Sequence, residues 1–185
     1  RRLQWTIFEV LSTGPSLISR DGQSMKYALY PGCAAQGATP ELYQSTRAII
    51  GRLGIEVVEL SAAACCGAGV VTEADPDMAV ALNARTFAQA EALGLDVMTI
   101  CGTCQGVMSA ANRRLKTEAG LLDRINALLS AEGLAYHGHV QVKHLLWIVV
   151  RDIGLVRLGA LTSLPMSDFR IAPFYGCYIL RPSWD

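Results

Sequence analysis

The repeated order of strand, loop and helix is the feature that most restricts the fold of this chain. Three short apolar segments are each followed by a loop and then by residues with the helical spacing of apolar side chains. The strands are predicted at 26–30, 55–60 and 96–100. The helices that follow them are predicted at 39–53, 75–93 and 104–118. Because strands that alternate with helices pair in parallel through right-handed crossovers, we expect an α/β fold, with a Rossmann-like parallel sheet and helices on both faces.

Local capping signals set the bounds of the first two helices. Thr39 is predicted to cap the first helix, with Pro40 in its first turn and Gly54 after its last. Asp75 and Pro76 are predicted to open the second. Beyond the third unit, helices are predicted at 121–132 and 143–153, and a strand at 169–175.

Cysteines follow each of the three predicted strands. Cys33 comes after the first strand, Cys65 and Cys66 after the second, and Cys101 and Cys104 after the third. In a parallel sheet the carboxyl ends of all strands lie at one edge, where such folds place their ligands. We therefore expect these five thiols to converge on one site at that edge.

The adjacent pair Cys65–Cys66 needs a partner that takes two thiolates at once. Neighbouring Cα atoms are about 3.8 Å apart and their side chains diverge, so a disulfide between them would close a strained ring. Four interpretations remain open: buried structural cysteines, a zinc site, a thioredoxin-like dithiol at Cys101 and Cys104, and an iron–sulfur cluster. Zinc takes four ligands and leaves one cysteine over, whereas a cluster has several irons for all five.

Composition argues against nucleic acid as a partner and against a transmembrane segment. Lys plus Arg and Asp plus Glu both number 16, and no basic cluster is interleaved with aromatic residues, so a nucleic-acid groove is not expected. The apolar run at 145–150 is far too short for a transmembrane segment.

The first 24 residues, 1–24, lack the pattern of an export signal and are expected to be a disordered or artificially added extension. Absence of an export signal predicts a cytoplasmic, reducing environment.

The cysteine spacing resembles a known family. The pattern Cys33…Cys65-Cys66-Gly67…Cys101-x-x-Cys104 is similar to the cysteine-rich CCG domain of the B-type subunit of heterodisulfide reductase, and to the class E succinate dehydrogenase branch. The segments "VKHLLWIVVRDIGL" and "FYGCY" extend the resemblance to about residues 25 to 185. It implies a non-cubane [4Fe–4S] cluster held by the five cysteines, with zinc as the alternative metal.

The resemblance also implies a domain organisation. "ALYPGC" at 28–33 and "PFYGCY" at 173–178 share an aromatic residue, glycine and cysteine in the same order. We expect residues 25–165 to form a first CCG domain and residues 166–185 to begin a second, incomplete half. Cys177 matches the first metal ligand of that second half.

By the same resemblance the chain is an oxidoreductase subunit that is not catalytically complete alone. It would pass electrons to a disulfide or, in the succinate dehydrogenase branch, to a quinone. The implied partners are a ferredoxin-type iron–sulfur subunit and a flavoprotein subunit, with peripheral association at the inner face of the membrane. The alternatives are a zinc-stabilised interaction subunit of a respiratory complex without chemistry of its own, and a metal-free dithiol redox protein.

Other polar and aromatic residues carry weaker signals. His137 and His139 are expected at the surface, and His144 to cap or pack at a helix start. Arg113 and Arg114 are interpreted as a solvated face, and Trp147 as core. No catalytic side chain is assigned.

Overall fold

Four parallel strands form one sheet in the computed structural model, which describes residues 25–164 and 166–173. Their order across the sheet is β2-β1-β3-β4, so the first strand lies between the second and the third. The predicted parallel sheet is confirmed. The strands are β1 Lys26–Tyr30, β2 Glu56–Glu59, β3 Val97–Thr99 and β4 Val142–His144.

The fourth strand is absent from the sequence prediction, which placed a helix near 143–153. Val142–His144 pairs with Val97–Thr99, and the helix begins only at Leu145. A strand of three residues has no readable alternation of apolar and polar side chains, so its position depends on tertiary contacts. The Asp96 carboxylate accepts from the Gln141 N–H at 2.8 Å, and Gln105 Nε2 donates to the Val142 carbonyl at 3.0 Å.

Helices follow the strands as predicted, with differences at their ends. Pro40 opens the first helix, but the Thr39 hydroxyl donates to the Ala34 carbonyl and does not cap the helix. Asp75 caps the helix that begins at Pro76, because its carboxylate accepts from the Met78 N–H at 2.9 Å. The α-helices are α1 Pro40–Arg52, α2 Val70–Ala74, α3 Pro76–Ala92, α4 Gly102–Thr117, α5 Leu121–Leu129, α6 Leu145–Trp147 and α7 Leu155–Leu161. Shorter helical turns occur at Ala34–Ala38 and Ile148–Ile153, both π-helical, and at Ser130–Glu132.

The sheet is covered on both faces, which confirms the predicted architecture. Alternate residues of β1 belong to different cores: Ala28 and Tyr30 pack with α3, α4 and α5, whereas Tyr27 and Leu29 pack with α1 and the 145–161 helices. A strand that is buried on both faces is typical of a parallel sheet. Of the strand predicted at 169–175, residues 169–173 have no strand structure and the rest lies outside the described residues.

Candidate functional site

The five predicted thiols lie at the edge where the strands end, here called the carboxyl edge. Cys33 follows β1, Cys65 and Cys66 follow β2, and Cys101 follows β3. Cys104 lies in the first turn of α4. Because β2, β1 and β3 are neighbours in the sheet, their loops meet, and the predicted cysteine cluster at this edge is confirmed.

The five thiols are electrostatically coupled across the three loops. The Sγ atoms of Cys66 and Cys104 are 3.6 Å apart. The Cys33 and Cys66 sulfurs each act on the pKa of Cys65, and the Cys104 thiol acts on the pKa of Cys101. Cys66 and Cys104 are buried, Cys101 is half-buried, and Cys33 and Cys65 are exposed. The set of thiols therefore extends from the protein surface into the core.

The Cys104 thiol changes the acidity of its neighbours. Interaction with Cys104 lowers the pKa of the Cys101 thiol to about 5 and also lowers the pKa of Cys66. The same two interactions raise the pKa of Cys104. A hydrogen bond to a thiolate stabilises the charged form, so Cys104 is the last of these three thiols to lose its proton. Thiolates are the form that binds metals.

The exposed thiol of the adjacent pair behaves differently. The N–H of Gly67 lies 3.5 Å from Cys65 Sγ, and this contact by itself lowers the pKa of Cys65. Burial and the neighbouring Cys66 and Cys33 sulfurs act in the opposite direction, and together they raise that pKa above its ordinary value. Removing protons from all these thiols at once therefore requires a cation to balance the charge.

Gly32 lets the backbone after β1 approach the cysteines closely. Its φ of +78° lies in the region that favours glycine, and a Cβ at this position would be 3.2 Å from Cys104 Sγ. A larger residue would occupy the space in which the sulfur atoms meet.

The donor set fits a soft, thiophilic metal centre. Five thiols select zinc or an iron–sulfur cluster over magnesium or calcium. Two thiolates on one tetrahedral metal at about 2.3 Å are about 3.8 Å apart, close to the 3.6 Å between Cys66 and Cys104. Within residues 25–164 and 166–173, no group of three or more Cys, His, Asp or Glu side chains is already arranged to hold a metal ion. The distance between the Cys66 and Cys104 sulfurs therefore suits binding to one shared metal atom. The five cysteines together do not surround a single ion.

His144 is a residue at this edge that sequence reasoning placed only at a helix start. It ends β4, is buried, and accepts the Leu146 N–H at Nδ1 over 3.1 Å, so it both caps and packs. Burial lowers the pKa of His144, and a hydrogen bond with the Ile100 backbone offsets part of that effect. Ile100 precedes Cys101, so the neutral imidazole supports the loop that carries this thiol. Recognising β4 would have placed His144 here.

His137 and His139 lie before β4, at the opposite edge of the sheet. Both side chains are exposed, as predicted. Their backbone N–H groups donate to the Glu91 carboxylate at 2.7 and 2.9 Å, and the His137 ring lies 2.9 Å from it. They are therefore remote from the cysteines.

The remaining predicted residues are also away from the sulfur atoms or outside the described residues. Arg114 forms surface ion pairs with Asp77 and Glu118. Trp147 is half-buried, with the Arg151 guanidinium 5.0 Å from its ring centre, so it is less enclosed than predicted. Cys177 lies outside the described residues. No helix in the described part of the chain has the length and apolar character needed to cross a bilayer.

Three relatives are similar over most of this chain. It is 35% identical over 160 residues to the 8-methylmenaquinol:fumarate reductase membrane anchor subunit of Wolinella succinogenes, covering 86% of this chain and 55% of that protein. It is 30% identical over 159 residues to the B-type subunit of the ferredoxin/F420H2-dependent CoB-CoM heterodisulfide reductase of Methanosarcina acetivorans, covering 85% and 53%. It is 31% identical over 160 residues to an Archaeoglobus profundus protein named as similar to the B-type subunit of heterodisulfide reductase, covering 86% and 54%. The chain thus spans about half the length of these relatives.

A solved structure and a family model complete the comparison. A hypothetical protein from Helicobacter pylori matches with a TM-score of 0.57 at 16% identity, over 77% of this chain and 28% of that one, which shows the fold alone. The family model described as "CCG: Cysteine-rich domain" matches residues 27–109, the segment that contains all five clustered thiols. The predicted resemblance is confirmed: over these residues the chain matches the CCG cysteine-rich domain family.

Proposed function

We propose that this chain is an iron–sulfur redox subunit of heterodisulfide reductase type. Its ligands are Cys33, Cys65, Cys66, Cys101 and Cys104, and its cofactor is a non-cubane [4Fe–4S] cluster. The single observation that carries the proposal is the convergence of these five cysteines at the carboxyl edge, where three neighbouring strands end and the Cys66 and Cys104 sulfurs are 3.6 Å apart. Only a centre with several metal atoms uses all five, including an adjacent pair.

The chain's own residues supply ligation, exclusion of water and compensation of charge. Cys66 and Cys104 are each 3% exposed and form the interior wall of the site. Cys33 and Cys65 are exposed and form its mouth, which is where a redox partner would approach. The amino end of α4 begins beside Cys101 and stabilises negative charge on the sulfurs. When bound, the cluster accepts and donates single electrons.

The names of the relatives support two redox partners. Two relatives are named for heterodisulfide reductase, so the proposed electron acceptor is a disulfide. The third is named for a menaquinol:fumarate reductase, in which the quinol is the electron donor, so the alternative is electron exchange with a quinone–quinol couple. The proposed donors are a ferredoxin-type iron–sulfur subunit and a flavoprotein subunit. The proposed location is cytoplasmic, with peripheral association at the membrane.

Two other functions each have one supporting observation. The 3.6 Å between Cys66 and Cys104 suits one tetrahedral zinc ion, which would make the chain a metal-stabilised interaction subunit. The lowered pKa of Cys101, to about 5, together with Cys104 in the first turn of α4, suits a dithiol redox protein. Each leaves part of the five-thiol set without a role.

We expect the isolated chain to change redox state but not to turn over a heterodisulfide. Reductive cleavage of a disulfide would need a metal centre for each of its two sulfur atoms, and the sequence contains one five-cysteine set and one further cysteine, Cys177. The visible absorption of the iron-loaded chain should decrease when a chemical reductant is added and return when an oxidant is added. The amount of thiol released from an added heterodisulfide should stay at the background level. Absence of bleaching in iron-loaded protein would contradict the redox proposal. Steady release of thiol without a partner would contradict the two-site mechanism.

A further inference from the structure

The loop that carries the adjacent cysteines, residues 60–69, is held by its carbonyl oxygens. Asn83 Nδ2, in α3, donates to the Cys66 carbonyl at 2.9 Å. The Thr72 hydroxyl, in α2, donates to the Gly67 carbonyl at 2.7 Å, and the Thr72 N–H donates to the same oxygen at 2.9 Å. Two successive peptide groups are thus fixed from the side away from the sulfur atoms.

Each fixed carbonyl determines the direction of an N–H group. In a planar trans peptide the C=O and the following N–H point in opposite directions. The Cys66 carbonyl shares its peptide with the Gly67 N–H, which points at Cys65 Sγ over 3.5 Å. The Gly67 carbonyl shares its peptide with the Ala68 N–H, which therefore points away from Thr72 and toward the cysteine side of the loop, where it lowers the pKa of Cys66. Anchoring the two oxygens therefore aims two donors at the two adjacent sulfurs.

Asn83 is a buried polar residue with a defined task in this arrangement. It is 1% exposed and lies among apolar residues of α3, where an apolar side chain would fill the same volume. Its Nδ2 atom donates to the Cys66 carbonyl and also to the Ala79 carbonyl at 2.7 Å. A buried amide is costly unless it is hydrogen-bonded, and here one of its bonds holds the cysteine loop.

We propose that Asn83 and Thr72 are positioning residues for the metal centre, which orient the Gly67 and Ala68 N–H groups toward Cys65 and Cys66. The geometric part concerns the chain alone, whereas the effect on a cluster rests on the proposed function. Hydrogen bonds to cluster sulfurs are one of the factors that set the reduction potential. They withdraw electron density, so losing them makes the centre harder to reduce. Asn83 and Thr72 thereby act on the potential without contacting the metal.

The matched control for Asn83 is Asn112. Asn112 is also a buried asparagine, and its Nδ2 donates to the Val140 carbonyl at 2.9 Å, at the opposite edge of the sheet from the cysteines. Asn83→Leu and Asn112→Leu therefore each remove a buried hydrogen bond to a loop carbonyl, but only the first involves the cysteine loop.

The first test uses the metal-free chain under reducing conditions. Amide hydrogen exchange at Gly67 and Ala68 is measured by NMR in the wild type and both variants. We expect exchange at Gly67 to be about tenfold faster in Asn83→Leu, because the anchor of its peptide is lost, and unchanged in Asn112→Leu. Equal exchange at Gly67 in all three proteins would overturn the proposal. If Asn83→Leu does not fold, Thr72→Val is the second variant. It loses the hydroxyl donor but keeps the backbone hydrogen bond, and amide exchange at Ala68 should be faster in it than in the wild type.

The second test uses protein that has been loaded anaerobically with iron and sulfide. Asn83→Leu and Thr72→Val should each lower the reduction potential, while Asn112→Leu leaves it at the wild-type value. An unchanged potential in both loop variants would overturn the tuning role. Failure of the wild type to bind iron would instead count against the proposed function, and the exchange result would still decide the positioning role.

Discussion

Replacing Cys66 with serine is expected to remove most of the bound iron. Cys66 is buried, and its sulfur lies 3.6 Å from Cys104, so it belongs to the interior of the proposed ligand set. A serine oxygen is a harder ligand on a shorter bond and does not ionise near neutral pH. We expect iron affinity to fall by about tenfold or more, measured as iron per chain after anaerobic reconstitution.

The control for this substitution is Cys177→Ser. The proposal assigns Cys177 to a second site and not to the first cluster, so its serine variant should retain iron near the wild-type value. Cys65→Ser should behave like Cys66→Ser. Equal loss of iron from all three variants would contradict the assignment of the first five cysteines as one ligand set. Thermal unfolding of each metal-free variant separates loss of a ligand from loss of the fold.

Alanine at Gly32 is expected to damage both stability and metal loading. Gly32 has a φ of +78°, and an added Cβ would be 3.2 Å from Cys104 Sγ and 3.7 Å from the Tyr30 ring. Backbone strain of this kind costs about 1–3 kcal/mol, and the sulfur must move to accommodate the methyl group. We expect a lower free energy of unfolding in urea and a clear fall in iron per chain.

Gly138→Ala separates these two effects. Gly138 has a φ of +90°, and its added Cβ would meet only the Lys116 side chain, at 3.8 Å, at the edge opposite the cysteines. This variant should lose stability through backbone strain and keep its iron. If Gly32→Ala bound iron as well as Gly138→Ala does, close approach of the backbone to Cys104 would not matter for the site.

The parts of the fold that the sequence predicts are those with a local signal. Residues 26–30 are an apolar run between polar or glycine-containing segments, and the strand has those bounds. Pro40 and the Asp75–Pro76 pair begin helices because a helix accommodates proline well only in its first turn. The cysteine edge follows from topology, because every predicted strand of a parallel sheet ends on the same side.

Other features depend on contacts between distant segments. The β4 strand is too short to show a period, and without it His144 could not be placed at the carboxyl edge. The contact between Cys66 and Cys104 depends on the conformation of two loops that the sequence does not specify. Asn83 carries a signal in the sequence: it lies among the alanines of α3, at the helical spacing of the buried face. A polar residue in such a position needs a partner, and here the partner is the cysteine loop.

Metal analysis of the anaerobically purified chain tests the central claim most directly. Iron, acid-labile sulfide and zinc are counted per chain, and visible absorption is recorded on the same sample. The proposed function predicts iron and sulfide in equal amounts, about four of each per chain, with a brown protein that bleaches on reduction. A colourless protein with about one zinc per chain and no sulfide would contradict it, and would identify the site as a closed zinc centre.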